Sequence, residues 1–421
     1  MSTYLERRRN RVAAAWGLSD EIVLVGAGHP VPIPGGQDQT YPFLSHSEYV
    51  YLADRECEGG VVAFDPREGW MDFVPDVTED ERVWEGRTDV EGTPFSRFAA
   101  WLQARRGRPV AVLGAALPDV TADPAVTAEA RERLQQAIRP KDEVELERMR
   151  RAAAATAAGF AAVRERIRPG VTERQLQIEL EAEFLRRGGE RVAFGTIVGA
   201  GEHSGVLHFT PGDRRVADGE NVLIDAGAEI GRYACDVTRT YQAATPGGFF
   251  RDLYQVVLDG QVKGVQRCRA GAEWREVHLA VARDLAEGLV GLGILRGSPD
   301  ALVEQDAHAL FFPHGLGHLV GLGVRDASGY LPGRRRSTRF GLAFLRCDFP
   351  LQPGYVITVE PGLYFIPALL EDPERRSRYR DAVNWAKVDT LIGFGGIRIE
   401  DDVLVTPADP EVLTAAIPKT L

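Results

Sequence analysis

Residues 219–227 read Gly-Glu-Asn-Val-Leu-Ile-Asp-Ala-Gly, and residues 354–362 read Gly-Tyr-Val-Ile-Thr-Val-Glu-Pro-Gly. In both, an apolar run delivers an acid, Asp225 or Glu360, to what reads as a strand end, with a glycine two residues beyond. A buried carboxylate is costly unless it is paired or holds a metal. Two such runs in one chain describe a site built from two related halves, and they point to a metal. Asp236 follows Asp225 across Ile230-Gly231, where a two-residue hairpin turn favours glycine. A hairpin centred there sets Asp225 directly opposite Asp236. Like charges facing each other across strands are destabilising unless a cation lies between them. Two acids on an exposed hairpin are the plainer alternative, disfavoured by the apolar Val222-Leu223-Ile224. In the second half, Glu400 closes Gly395-Gly-Ile-Arg-Ile-Glu as the mirror partner of Asp236, with a longer insertion between the two acids.

Histidine supplies a second donor type. Of eight histidines, two stand in His314-Gly-Leu-Gly-His318 and two in His203-Ser-Gly-Val-Leu-His208. The glycines around His314 and His318 allow close backbone approach. A lone histidine in such a loop is more often structural, but two beside four strand-delivered acids reverse that balance. Four carboxylates with an imidazole suit hard or borderline ions such as manganese, cobalt or iron(II), and the lack of thiolates argues against structural zinc. Four acids exceed what one ion with an open position needs, and suit two ions about 3.5–4 Å apart. Such a pair polarises a carbonyl and holds hydroxide at neutral pH, which is the machinery of hydrolysis.

The elements that must position these groups follow from pattern. Apolar runs at 21–28, 48–53, 60–64 and 109–113 read as strands, with a helix at 95–106, so the first third is α/β. The Pro- and Asp-rich stretch 118–124 reads as near a domain boundary. A long helix is expected over 142–167, stopped by Arg168-Pro169-Gly170. Thr172 and Gln175 form a capping box for the next helix, which Gly188-Gly189 ends. Two further helices fit 249–267 and 274–292, and the charged stretch 371–380 reads as a solvent-facing insertion. Helices flanking paired strands, twice over, give an α+β domain with an internal two-fold relation from about residue 140 onward.

Composition bounds the function class. The chain has 421 residues, 44% of them hydrophobic, enough for large cores. A net charge of −11 argues against a general nucleic-acid binder. The short basic runs Arg7–Arg11 and Arg334–Arg336 read as solvated surface. Four scattered cysteines, with no CxxC, fit a reducing compartment. No run of about 18 apolar residues suggests a membrane span. Residues 12–18 read as part of an amphipathic first helix and not as a secretory leader. A cytoplasmic protein is expected.

The motifs resemble those of the pita-bread metallopeptidases. Asp225 in LIDAG, Asp236 in CDVTRTY, His318 in HGLGH, Glu360 in TVEPGLY and Glu400 in GIRIEDD are similar to that family's five metal ligands. Within it, prolidase (Xaa-Pro dipeptidase) and aminopeptidase P are nearest. The resemblance implies a creatinase-type α/β N-terminal domain over 1–138 and a pita-bread catalytic domain over 139–421. It implies two divalent ions per chain, manganese first, with cobalt, zinc or iron tolerated by the same donors. Asp225 would chelate one metal, Asp236 and Glu400 would bridge both, and His318 and Glu360 would complete the second. Glu360 would shuttle the proton of a bridging hydroxide. His208 would contact the substrate near the scissile bond and steady the oxyanion. His314 would line the proline pocket, and Arg398 would order the site and touch substrate. Arg346 resembles the prolidase arginine that binds the free carboxylate of a dipeptide.

One position departs from the family. The triplet Val324-Arg325-Asp326 carries arginine where Val-His-Asp is usual. Arginine cannot accept a proton near neutral pH, but it donates hydrogen bonds and binds carboxylates. The expected activity is hydrolysis of Xaa-Pro dipeptides by a homodimer. Aminopeptidase P action on longer Xaa-Pro peptides is the second reading, and a non-catalytic peptide-binding module the third. Methionine aminopeptidase lacks the large N-terminal domain, and creatinase-type members do not keep all five ligands.

Overall fold

A computed structural model describes residues 3–243 and 245–421, which fall into two compact units, Met1–Ile138 and Arg139–Leu421. In the first unit, α1 (Thr3–Trp16), β1 (Ile22–Gly26), α2 (Ser47–Ala53), β2 (Val61–Asp65), β3 (Gly69–Val74), α3 (Glu79–Trp84), β4 (Thr93–Pro94), α4 (Phe98–Gln103), β5 (Val110–Gly114) and α5 (Pro124–Ile138) follow in order. They build one mixed sheet in the order β4-β3-β2-β1-β5. β1 pairs antiparallel with β2 and parallel with β5. One face buries Ile22, Leu24, Val61, Ala63 and Phe73.

Three expectations are corrected here. The apolar run at 48–53 is helix α2 and not a strand, opened by His46, whose ring accepts the Glu48 N–H at 3.2 Å. Five apolar residues in a row, Tyr49–Ala53, fit a buried helix as well as a buried strand. The stretch 118–124 is no boundary, because it joins β5 to α5 inside the first unit. The basic run Arg7–Arg11 is not all surface: Arg8 and Arg9 are 1% and 3% exposed. Arg8 Nη1 and Arg9 Nε donate to the carbonyls of Tyr51 and Leu52 at 3.1 and 2.8 Å, near the C-terminal end of α2. Arg9 also pairs with Asp72 at 2.6 Å.

The second unit opens with α6 (Glu143–Arg164) and α7 (Glu173–Arg186). Asp142 caps α6 with a reciprocal Glu145 bond, and Thr172 caps α7 with Gln175 in the same manner. Gly159 lets the two helices close, since a side chain there would collide with Phe184. Strands β6 (Arg191–Val192), β7 (Ile197–Ala200), β8 (Asn221–Ala226), β9 (Ala228–Ile230), β10 (Tyr233–Ala234) and β11 (Val237–Gln242) complete the first half. The sheet β11-β8-β7 is antiparallel throughout. The second half repeats the plan with α8 (Gly248–Arg267), packed on α9 (Trp274–Gly291), then α10 (Pro299–Glu304). Its strands are β12 (Val356–Val359), β13 (Gly362–Tyr364), β14 (Gly396–Arg398), β15 (Asp401–Leu404) and β16 (Glu411–Val412). They pair as β12-β15-β16 and β13-β14. The core under the first half gathers Phe160, Leu176, Leu180, Phe184, Val222 and Ile224. The segment 371–380 contains a short, largely exposed helix, Pro373–Arg378, and the cysteines are all buried and free.

Candidate metal centre

The register of the strands sets the acids. The tight turn is Gly231-Arg232, both at positive φ (56° and 71°), and not Ile230-Gly231. That moves the pairing by two residues, so Asp225 lies opposite Thr238 and Asp236 is its diagonal neighbour. Side chains alternate with period two, so the shift leaves both acids on one face. Gly227 is required where the strands cross, because a Cβ there would collide with the Cys235 carbonyl. In the second half, Val359 pairs with Asp401 and Gly362 with Arg398, and the same register brings Glu360 and Glu400 opposite each other. The two halves join where Glu400 N–H donates to the Thr238 carbonyl at 3.1 Å.

His318 enters from the loop before β12. Its N–H donates to Thr358 Oγ1 at 3.1 Å, and Thr358 N–H donates back to its carbonyl at 2.8 Å. Gly317 makes that approach possible, since any side chain there would strike the Thr358 carbonyl. Nδ1 donates to the Leu319 carbonyl at 3.0 Å, which leaves the Nε2 lone pair facing inward. Nε2 lies 3.4 Å from Asp236 Oδ2 and 3.8 Å from Glu360 Oε1. Donor atoms of Asp236, His318 and Glu400, all buried, fall within 4.8 Å of one another.

The electrostatics fit a cation. Burial and the neighbouring Glu400 carboxylate push Asp236 well above the usual carboxylate range. Burial and Glu360 do the same to Glu400. Burial lifts Glu360 to about 7, against the pull of Arg398 and Arg325. Burial and Arg325 bring His318 down to about 3, which leaves it neutral. Asp225 Oδ2 accepts from Arg398 Nη2 at 2.7 Å, whereas its buried Oδ1 has no hydrogen-bond donor among the described residues. Crowded acids that resist ionising alone, a neutral imidazole and an orphan carboxylate oxygen make a donor set suited to hard divalent ions.

All ten residues singled out from the sequence line one cavity of about 580 Å³: His208, Asp225, Asp236, His314, His318, Arg325, Arg346, Glu360, Arg398 and Glu400. His314 Nδ1 donates to the Gly315 carbonyl at 2.8 Å, and its Nε2 meets Tyr364 Oη at 2.9 Å. Burial brings it down to about 3. Arg398 is 3% exposed, and its guanidinium is committed to the scaffold: Nη2 to Asp225, Nε to Thr238 Oγ1 at 3.0 Å and Nη1 to Tyr364 Oη at 2.8 Å. Arg325 and Arg346 are exposed to the cavity, and neither forms an ion pair among the described residues. Partial burial and Arg325 draw the Arg346 guanidinium below its usual value, so the two cations feel each other.

Several supporting residues escaped the sequence reading. Thr238 Oγ1 donates to Glu400 Oε2 at 2.6 Å. Arg239, 1% exposed, gives Nη1 to the Glu400 carbonyl at 2.6 Å and Nη2 to Asp401 Oδ1 at 2.8 Å. Both lie in the Asp236-Val-Thr-Arg-Thr run, where alternation next to a proposed ligand was the available signal. Glu173, fully buried at the start of α7, accepts from Ala200 N–H at 3.0 Å, His203 Nδ1 at 2.8 Å and Gly212 N–H at 3.3 Å. It thereby ties both ends of the loop that carries His208. No local motif marks a partner so distant in sequence.

The fold, with its acid-lined cavity between two related halves, is that of the aminopeptidase P structures. The chain superimposes on aminopeptidase P from Escherichia coli with bound Pro-Leu inhibitor at TM-score 0.81 and 28% identity, covering 100% of this chain and 96% of that one. A Pseudomonas aeruginosa aminopeptidase matches at TM-score 0.79 and 27% identity over 99% and 96%. Residues 147–407 match the model of metallopeptidase family M24, and the chain belongs to that family. A Xanthomonas campestris Xaa-Pro dipeptidase is 32% identical over 430 residues, 95% of each chain. An E. coli Xaa-Pro aminopeptidase is 38% identical over 283 residues, but that match covers 66% of this chain and only 57% of the relative.

Proposed function

We propose that this chain is a dinuclear metallo-exopeptidase that cleaves the Xaa-Pro bond of dipeptides. The observation that carries this reading is the convergence of five potential ligands and five potential substrate contacts on one cavity. Asp225, Asp236, His318, Glu360 and Glu400 would hold the ions. The bound ions supply Lewis acidity and a water made acidic enough to attack at neutral pH. Glu360, on the cavity wall, would accept a proton from the attacking water and pass it to the leaving proline nitrogen. His208, kept neutral by burial and Arg398, donates an N–H where charge develops on the carbonyl oxygen. His314 shapes the proline pocket, and Arg398 fixes Asp225 and Tyr364.

Arg346, with Arg325 beside it, receives the free carboxylate that follows proline. The full-length match to a dipeptidase supports this choice. The structural likeness to aminopeptidase P favours longer substrates as the second reading. Manganese is the proposed ion. The 1–138 unit acts as the creatinase-type N-terminal domain, 139–421 as the catalytic domain, and a cytoplasmic homodimer as the working form. Among the described residues no helix is long and apolar enough to cross a membrane.

The test compares Leu-Pro, Leu-Pro-amide and Leu-Pro-Pro on manganese-loaded protein. Leu-Pro is expected to be cleaved fastest, with kcat/KM for the amide lower by at least about 10-fold, the loss of one charged bidentate contact. Preference for Leu-Pro-Pro would transfer the assignment to the second reading, and no cleavage of any of the three would refute both.

A further inference from the structure

We infer that His278 is a positioning residue that locks the His314–His318 loop to the segment carrying Arg346. It lies on α9, 1% exposed, outside the cavity wall. Its Nδ1 accepts the Leu316 N–H at 3.2 Å, between the two loop histidines. Its Nε2 donates to the Gly341 carbonyl at 2.9 Å. A backbone N–H on one ring nitrogen and a carbonyl on the other fix the tautomer, with the proton on Nε2. Burial keeps the ring neutral, with its pKa brought down to about 4. The ring also packs against Phe312, centroids 5.4 Å apart.

The Gly341 side of the bridge leads directly to the cavity. Leu342 N–H bonds to the Arg339 carbonyl at 2.9 Å, and Leu345 N–H to the Leu342 carbonyl at 3.1 Å, so two successive turns lead from Arg339 through Gly341 to the residue before Arg346. Arg339 anchors the start of the first turn on Asp306 at 2.7 Å, and Tyr330 Oη donates to the Leu345 carbonyl at 2.7 Å. The loop lies against it: a Cβ on Gly315 would come within 3.0 Å of the Phe344 carbonyl and 3.1 Å of Leu345 Cα. One imidazole therefore sets the distance between the backbone that presents His318 and the backbone that presents Arg346. In the proposed enzyme, on which this inference rests, that is the distance between metal and substrate carboxylate. A single neutral side chain with two ring nitrogens does this because its two bonds are separable.

Two variants separate them. His278→Asn keeps an acceptor near the Nδ1 position and loses the reach to Gly341. His278→Gln keeps a donor near the Nε2 position and loses the Leu316 acceptor. The Asn variant is expected to raise KM for Leu-Pro by about 10-fold, with kcat and manganese affinity within twofold of the parent. The Gln variant is expected to lose about 10- to 100-fold in manganese affinity, measured by competition with a chelating dye, and kcat with it. Gly341→Ala, whose Cβ would press within 2.7 Å of Asp306 Oδ1, disturbs the same carbonyl without touching His278 and should reproduce the Asn effect. Equal losses in KM, kcat and metal affinity for Asn and Gln, or a Gly341→Ala variant with parental KM, would overturn the inference. If the parent protein cleaves no Xaa-Pro peptide, the proposed function fails, and the difference in manganese affinity between Asn and Gln still decides the role of His278.

Discussion

Thr238→Val is the sharpest probe of how the centre is held. Thr238 is fully buried, and valine matches its shape, so packing is preserved. What is lost is the hydroxyl that donates to Glu400 Oε2 at 2.6 Å and accepts from Arg398 Nε at 3.0 Å. Hydrogen bonds to charged groups contribute about 1.5–3 kcal/mol each, and the orphaned Arg398 N–H adds a desolvation penalty, set against the easier burial of a methyl group. A net loss of about 3 kcal/mol is reasonable, and at about 1.4 kcal/mol per decade it corresponds to roughly 100-fold in metal affinity. Thr238→Ser keeps the hydroxyl and should stay within about threefold of the parent. The assay is dye-competition titration with manganese, accompanied by urea unfolding of the metal-free protein to separate ligand orientation from global stability. A valine variant that binds metal like the parent, or a serine variant as weak as valine, would show that Thr238 does not orient Glu400.

Three further outcomes follow from the charges. In the metal-free protein Asp236, Glu400 and Glu360 all have raised pKa values, Glu360 at about 7, so bound ions must displace protons. Metal binding at pH 6 should release protons, and calorimetric heats that do not vary with the buffer's ionisation enthalpy would contradict this. Raised folded-state values stabilise the metal-free fold fully below about pH 4 and lose that stabilisation as pH rises through 7, so Tm after chelation should fall between pH 6 and 8. In the first unit, Asp65, 1% exposed, is held well below the ordinary range, first by its hydrogen bonds to Arg108, then by the Arg67 N–H at 2.9 Å and Arg105 Nε at 2.7 Å. Its stabilisation is present above about pH 4 and declines as pH falls further. Asp65→Asn should destabilise the protein by about 3–5 kcal/mol at pH 7, with the gap narrowing below pH 4 in urea titrations. A pH-independent gap would mean that packing, and not charge, is what the substitution removes.

The proposed metal ligands were legible because burying a charge is costly, so an apolar run that ends in an acid needs a reason. Sequence alone could not supply the register. Gly231 and Arg232 both enter the left-handed region, and nothing in the local pattern requires an arginine to do so. The two-residue error was harmless to the site only because strands alternate. Helix α2 was misread because an apolar run of its length has no period to measure. Arg8 and Arg9 were misread because their partners are carbonyls some 43 residues away. Glu173 and His278 were missed for the same reason: each is a buried polar residue whose partners, mostly backbone groups, are distant in sequence. By contrast, the capping box at Thr172 closes within three residues and is readable directly.

The alternation Thr238, Arg239, Thr240 clamps one partner segment from two sides. Thr238 reaches the Glu400 carboxylate, Thr240 Oγ1 bonds both the N–H and the carbonyl of Arg398, and Arg239 turns the other way to Asp401 and the carbonyls of Ile417 and Pro418. A point substitution removes one arm of this clamp, but a single-codon insertion or deletion in β11 would exchange its faces. The guanidinium would then occupy the hydroxyl's place beside the carboxylates and compete, as a tethered cation, with the proposed metal ions. A one-residue change in the length of this strand is therefore expected to damage the centre far more than a two-residue change, which restores the alternation.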